Sequence, residues 1–214
     1  MAGMSYPQAP VPPPPMQAPV AVNVLGPHFC VGYPVDLTVQ KKLSFSEGNF
    51  GVTDINGNVV FTVRGKLFSL RDRRVLIDAF GNPVITFQQK ILSAHRRWQV
   101  FRGESTEPKD LLFSVRKSSM IQLKTKLHVY MAANTSEDVC DFKISGSYFE
   151  RSCVIYSGNS NSIIAQMHKK HNVQSVLLGQ DTFGVTVYPY VDYAFVTALI
   201  VILEEINLDR NGQD

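Results

Sequence analysis

Little in these 214 residues points to chemistry. There are only three cysteines, Cys30, Cys140 and Cys153. An odd, sparse set does not make a disulfide framework and points to a reducing, intracellular compartment. No basic segment followed by an apolar stretch opens the chain, so no secretory signal is read. Met1-Ala2-Gly3 is not a myristoylation signal, and Asn211-Gly212-Gln213-Asp214 is not a prenylation box. No G-x-S-x-G elbow, Walker loop, H-E-x-x-H or C-x-x-C occurs. No catalytic residue, metal ligand or cofactor is therefore assigned, and the chain is read as a non-enzyme. His168-Lys169-Lys170-His171 spaces two histidines at i, i+3, but its lysines repel a cation, so it is read as a solvated turn.

A long apolar run is missing too. The longest is Tyr193-Ala194-Phe195-Val196-Thr197-Ala198-Leu199-Ile200-Val201-Ile202-Leu203, which has no charge, glycine or proline. A spanning helix needs roughly 20 apolar residues, so these eleven are too few. Wound as a helix, the run is apolar on every face, and such a helix belongs inside a core. The expected helix covers about 191–207, with Asp192 as N-cap or first-turn acid and Glu204-Glu205 marking the return to solvent.

What is there upstream is a long series of strand patterns. Apolar and polar residues alternate over 37–41, 59–64, 75–78, 84–88, 98–102, 111–116, 126–130, 142–147, 153–156, 163–167 and 183–187. One echo stands out: Asp54-x-x-Gly57-Asn58-x-Val60 returns as Asp78-x-x-Gly81-Asn82-x-Val84. The pattern predicts twin hairpin turns, with the aspartate accepting backbone N–H bonds and the glycine taking positive φ. Trp98, alternating with Gln99, is expected to face the core. Counting ambiguous pieces, about twelve consecutive strands are expected. That many leave exposed edges unless the sheet closes. The fold class is therefore mainly β: a closed antiparallel barrel of about 12 strands enclosing one hydrophobic C-terminal α-helix.

Nine of the twelve prolines fall in the first 34 residues. Residues 1–22 read as a Pro-rich, extended or disordered tail, able to offer a ligand to a protein partner. Residues 23–209 form a single domain, and 210–214 a C-terminal tail. The net charge is +3, a mild bias toward anionic partners that is too weak to name nucleic acid. Bases cluster at expected strand ends: Arg71, Arg73 and Arg74, then Arg96 and Arg97, then Lys124 and Lys126. Convergence on one rim would make a patch for anionic lipid, at about 1 kcal/mol per base near an anionic leaflet. The alternative is ordinary strand-end charge for solubility.

Several blocks together resemble the plant LURP-one-related family, from about Val35 to Asn207. They are Asp54-Ile55-Asn56-Gly57-Asn58-Val59, the segments 69–76 and 97–103, Gly146-Ser147-Tyr148-Phe149-Glu150-Arg151-Ser152-Cys153, and the segment 181–195 that enters the apolar helix. That family is similar to the Tubby C-terminal domain and the phospholipid scramblases. The resemblance implies the same barrel threaded by a hydrophobic helix. It implies no settled activity: Tubby-like proteins bind plasma-membrane phosphoinositides, and plant relatives are associated with pathogen defence. Together with the basic strand ends, this sets the expectation of a non-enzymatic binding protein of anionic phospholipid or phosphoinositide headgroups, or of protein partners. A monomer is expected, in the cytoplasm, at the plasma membrane or in the nucleus. Transcription regulation after release from the membrane is the alternative, and lipid scrambling ranks third. The phosphoinositide-contacting residues of Tubby have no matching motif here, so none is transferred.

Overall fold

A computed structural model describes residues 21–41, 50–65, 73–90, 97–118, 125–158, 160–170 and 182–208. Twelve strands lie among them: β1 (Val35–Lys41), β2 (Phe50–Thr53), β3 (Val59–Gly65), β4 (Arg74–Asp78), β5 (Pro83–Lys90), β6 (Arg97–Arg102), β7 (Leu111–Lys117), β8 (Thr125–Met131), β9 (Phe142–Gly146), β10 (Val154–Ser157), β11 (Ile163–Lys169) and β12 (Thr182–Val187). Each pairs antiparallel with its chain neighbour, and β12 closes on β1 from Val35↔Val187 to Gln40↔Thr182. Closure removes every free edge, which an open sheet of this size would have to protect. Of the twelve, only β2 lacked a sequence signal. It has four residues, and Gly51 interrupts its alternation.

The apolar run is helix α1 (Tyr193–Leu208), and it fills the barrel. Ala194, Phe195, Val196, Ala198, Leu199 and Ile202 are completely buried. Phe195 meets Phe113 edge-on at 5.1 Å and Phe142 at 4.9 Å between ring centroids, tying the helix to two strands of the wall. Trp98 is buried in the same core, as its alternation predicts.

The helix starts at Tyr193 rather than Val191 because Asp192 is its N-cap. One carboxylate oxygen of Asp192 accepts the Phe195 N–H at 2.9 Å. The other accepts the N–H groups of Val24, Leu25 and Gly26 at 3.2, 2.7 and 3.4 Å. The same carboxylate thus caps the helix and anchors the segment that leads into β1. Val22 bridges Val191, and Cys30 bridges Asp192.

The far end of the helix corrects one expectation. Glu204 and Glu205 do not mark a return to solvent: they are 1% and 6% exposed. Glu204 accepts from the Tyr148 hydroxyl and from Arg151, each at 2.6 Å. The Arg151 guanidinium lies 4.4 Å from the ring centroids of both Tyr148 and Phe183. Glu205 pairs with Arg74 at 2.7 Å. Buried carboxylates must be paired to remain charged, and the barrel wall supplies the partners. Burial and the Glu204 charge push the Tyr148 hydroxyl well above its ordinary pKa.

The twin turns form as expected. Asp54 accepts the N–H groups of Asn56 and Asn58, and Asp78 those of Phe80 and Asn82, all at 2.8 to 2.9 Å. Gly57 and Gly81 take φ of 84° and 88°. His168 and Lys169 correct another expectation, because they belong to strand β11 and not to a turn. His171 lies outside the described residues.

Candidate functional site

Antiparallel closure sorts charge along the barrel. Odd-numbered strands end where even-numbered strands begin, and α1 ends there as well. Arg64, Lys90, Lys117 and Lys169 stand at the ends of β3, β5, β7 and β11 on this side, while Arg74, Arg97 and Lys126 stand at the starts of β4, β6 and β8. Strand termini and connections on the other side carry Asp36, Asp54, Asp78, Glu104, Glu107, Asp110, Glu137, Asp138 and Asp141, though the connections holding Glu104 and Glu137 come within reach of Arg73 and Arg97. There, among the described residues, the bases are Arg102, Lys109, His28 and, second in β9, Lys143.

The bases singled out from the sequence fare differently within this arrangement. Arg71, Arg96 and Lys124 lie outside the described residues. Arg74 alternates with the buried Leu76 and pairs with the buried Glu205. Arg73 donates to the carbonyl oxygen of Glu104. Arg97 makes a two-pronged contact with Glu137 at 2.5 and 2.7 Å, and Arg116 approaches the same carboxylate at 3.3 Å. That contact, with Arg97 the main cause, holds the Glu137 carboxyl below the usual range. Lys126 alone of the described four is exposed.

Lys126 stands at a hollow of about 370 Å³ on the outer face of β8, β9 and β10. Its wall is Lys126, His128, Lys143, Ser145, Tyr156 and Asn161. Strand register explains the grouping. Leu127, Val129, Ile144 and Ile155 face the core, so their neighbours in sequence face out. Pairing sets Lys126 against Ser145, His128 against Lys143, and Lys143 against Tyr156. The Lys143 ammonium lies 5.0 Å from the centre of the Tyr156 ring, and His128 Nδ1 is 3.4 Å from the Tyr130 hydroxyl.

No acidic side chain lines the hollow. Asp141 is the acid nearest in sequence to Lys143, and its carboxylate is engaged by the Met131 N–H and the Asn134 amide, both at 2.8 Å. The His128 imidazole is held below its ordinary pKa, first by burial and then by Lys126, Arg116 and Lys143. The site has a positive potential and several hydrogen-bond donors, the chemistry of an anion receptor. Sequence reading missed Lys143, His128, Ser145, Tyr156 and Asn161. The signal was present in the outward parity of 126/128, 143/145 and 156, but it requires the strand register.

Among the described residues, no group of three His, Cys, Asp or Glu side chains could hold a metal ion. No disulfide joins the three cysteines, and burial pushes the Cys153 thiol up to about 11. No helix among the described residues is long and apolar enough to cross a membrane.

Comparison with known proteins settles the family. A family model described as LURP-one-related matches residues 35–204. The chain belongs to the LURP-one-related family. It is 55% identical to protein LURP-one-related 15 of Arabidopsis thaliana, over 86% of this chain and 85% of that one. It is 45% identical to protein LURP1 of the same plant, over 89% and 92% of the two chains. A solved X-ray structure of an Arabidopsis thaliana protein superposes with a TM-score of 0.70 at 44% identity, covering 86% of this chain and 98% of that one. The LURP-one-related assignment and the closed barrel agree with the fold that the sequence resemblance implied.

Proposed function

We propose that this LURP-one-related protein is a non-enzymatic binding protein that docks reversibly on anionic phospholipid surfaces, phosphoinositide-bearing ones among them. It works peripherally at the plasma membrane, in plant defence signalling. The observation that carries the reading is a bias of charge: Arg64, Lys90, Lys126 and Lys169 are exposed at one end of the barrel, where Glu150 is the exposed acid among the described residues, and the other end carries most of the described acids. A barrel polarised in this way is oriented by the field of an anionic leaflet before it touches it. Each base near such a surface contributes about 1 kcal/mol, and the attraction fades within a Debye length.

Vesicle co-sedimentation tests this. The full chain should bind vesicles containing phosphatidylserine or a phosphoinositide, release with added salt, and ignore neutral phosphatidylcholine vesicles. The triple variant Arg64→Glu, Lys126→Glu, Lys169→Glu removes three exposed bases and adds three acids at the same end. It should bind at least about a hundredfold more weakly. Equal binding to neutral vesicles, or binding unchanged in the variant, would overturn the proposal.

A further inference from the structure

The outer hollow of β8–β10 can do more than add to a diffuse charge. Its two lysines and His128 come from adjacent strands, whose register fixes their spacing. Ser145, Tyr156 and Asn161 add neutral hydrogen-bonding groups around the same space. A volume of about 370 Å³ falls in the range of small-ligand sites, roughly 300–1,000 Å³, and has room for a phosphate with part of its organic substituent. Groups facing His128 come from every neighbouring strand: Lys126 and Tyr130 on β8, Arg116 on β7 and Lys143 on β9. The Arg116 guanidinium is turned to Glu137 and the Tyr130 hydroxyl, while neither Lys126 nor Lys143 faces an acid in the hollow.

We infer that this hollow is a binding site for a phosphomonoester dianion, held between Lys126 and Lys143 with His128 as a third, proton-dependent donor. A phosphomonoester matches the site better than a carboxylate does. It brings about −1.5 to −2 charges at neutral pH and three strong acceptor oxygens, against two ammonium groups and a ring of further donors. A dianion in the hollow stabilises the imidazolium, so binding and protonation of His128 favour each other. The site shares Lys126 with the membrane-docking end but needs no membrane.

The test uses the full chain, with NMR of the His128 ring and isothermal titration. Inorganic phosphate and glycerol 3-phosphate represent a free source. Phosphatidic acid vesicles, against phosphatidylserine vesicles of matched charge, represent a lipid source. Saturating phosphate should raise the His128 pKa by about 0.5 units or more. Lys126→Met and Lys143→Met should each weaken phosphate binding about tenfold. Lys169→Met, at the same barrel end but outside the hollow, should change it less than about twofold. Preference for phosphatidic acid over phosphatidylserine vesicles, lost in Lys143→Met, assigns the phosphate to a lipid. Binding of glycerol 3-phosphate with no such vesicle preference assigns it to a soluble ester. A His128 resonance unmoved by phosphate, or a Lys143→Met variant no weaker than Lys169→Met, would overturn the inference, and intact vesicle sedimentation in that case would leave the docking reading standing.

Discussion

Replacing Arg151 by alanine should be among the most damaging single changes in this protein, although the residue lies in a connection between strands. Arg151 and Glu204 are 10% and 1% exposed and meet at 2.6 Å. Removing one partner of a buried pair costs about 3–5 kcal/mol, because the remaining charge stays in a medium that cannot solvate it. The stacking of the guanidinium on Tyr148 and Phe183 is lost in the same step. Two companions sharpen the test. Arg151 has φ of 51°, a left-handed conformation that costs a non-glycine residue about 1–2 kcal/mol. Arg151→Gly should therefore fall short of Arg151→Ala by about 1 kcal/mol. Glu204→Gln removes the buried charge itself, so the double variant with Arg151→Ala should recover about 1–3 kcal/mol relative to the sum of the singles. Trp98, the single tryptophan and fully buried, reports urea unfolding by fluorescence. At a slope of about 1–3 kcal/mol/M the midpoint should fall by at least about 1 M for Arg151→Ala. A fall under about 0.3 M, or additive effects in the double variant, would refute the idea that Glu204 is a buried charge held by Arg151.

Three further outcomes follow from the same interactions. Asp192→Ala should cost about 2 kcal/mol or more by deleting the helix cap and the anchor for Val24, Leu25 and Gly26, whereas Asp192→Asn, which retains one acceptor, should cost less; thermal unfolding of the pair gives the order. Ala198→Asp or Leu199→Asp places an unpaired charge inside the barrel and should abolish folding, and a folded variant by circular dichroism would mean that the helix is not enclosed. His128 titrates below its ordinary pKa of 6.5, so the unfolded chain takes up its proton first as pH falls. Its contribution to stability is intact above 6.5 and is lost on the acid side, down through the lowered folded-state pKa, and His128→Asn should flatten that part of the stability profile.

The sequence was legible where a signal is local. The apolar run declares a helix with no polar face, and the two Asp-x-x-Gly-Asn turns declare their own hydrogen bonds, so barrel and plug could be argued before any contact was known. What stayed hidden was long-range. Two acids after an apolar run normally mean a helix leaving the core, and nothing near Glu204 or Glu205 announces Arg151 or Arg74, which are 53 and 131 residues away. The basic strand ends were visible, but which of them face solvent was not. Arg74 points inward in step with Leu76, and Arg97 is held by Glu137 from a connection 40 residues further on. The hollow was invisible for the same reason: no one of its strands carries more than two of its residues, and only the register of β8, β9 and β10 assembles them.

One measurement bears on the docking face directly: NMR relaxation enhancement from vesicles carrying nitroxide-labelled lipid. The two ends of the barrel differ in kind. One exposes Arg64, Lys90, Lys126 and Lys169, and the other displays apolar turn tips, with Ile55 75% and Phe80 91% exposed beside Asp54 and Asp78. The account predicts broadening of Lys90, Lys126 and Lys169, with Asn56 and Asn82 left sharp. Broadening of Ile55, Asn56, Phe80 and Asn82 with the lysine end left sharp would contradict it.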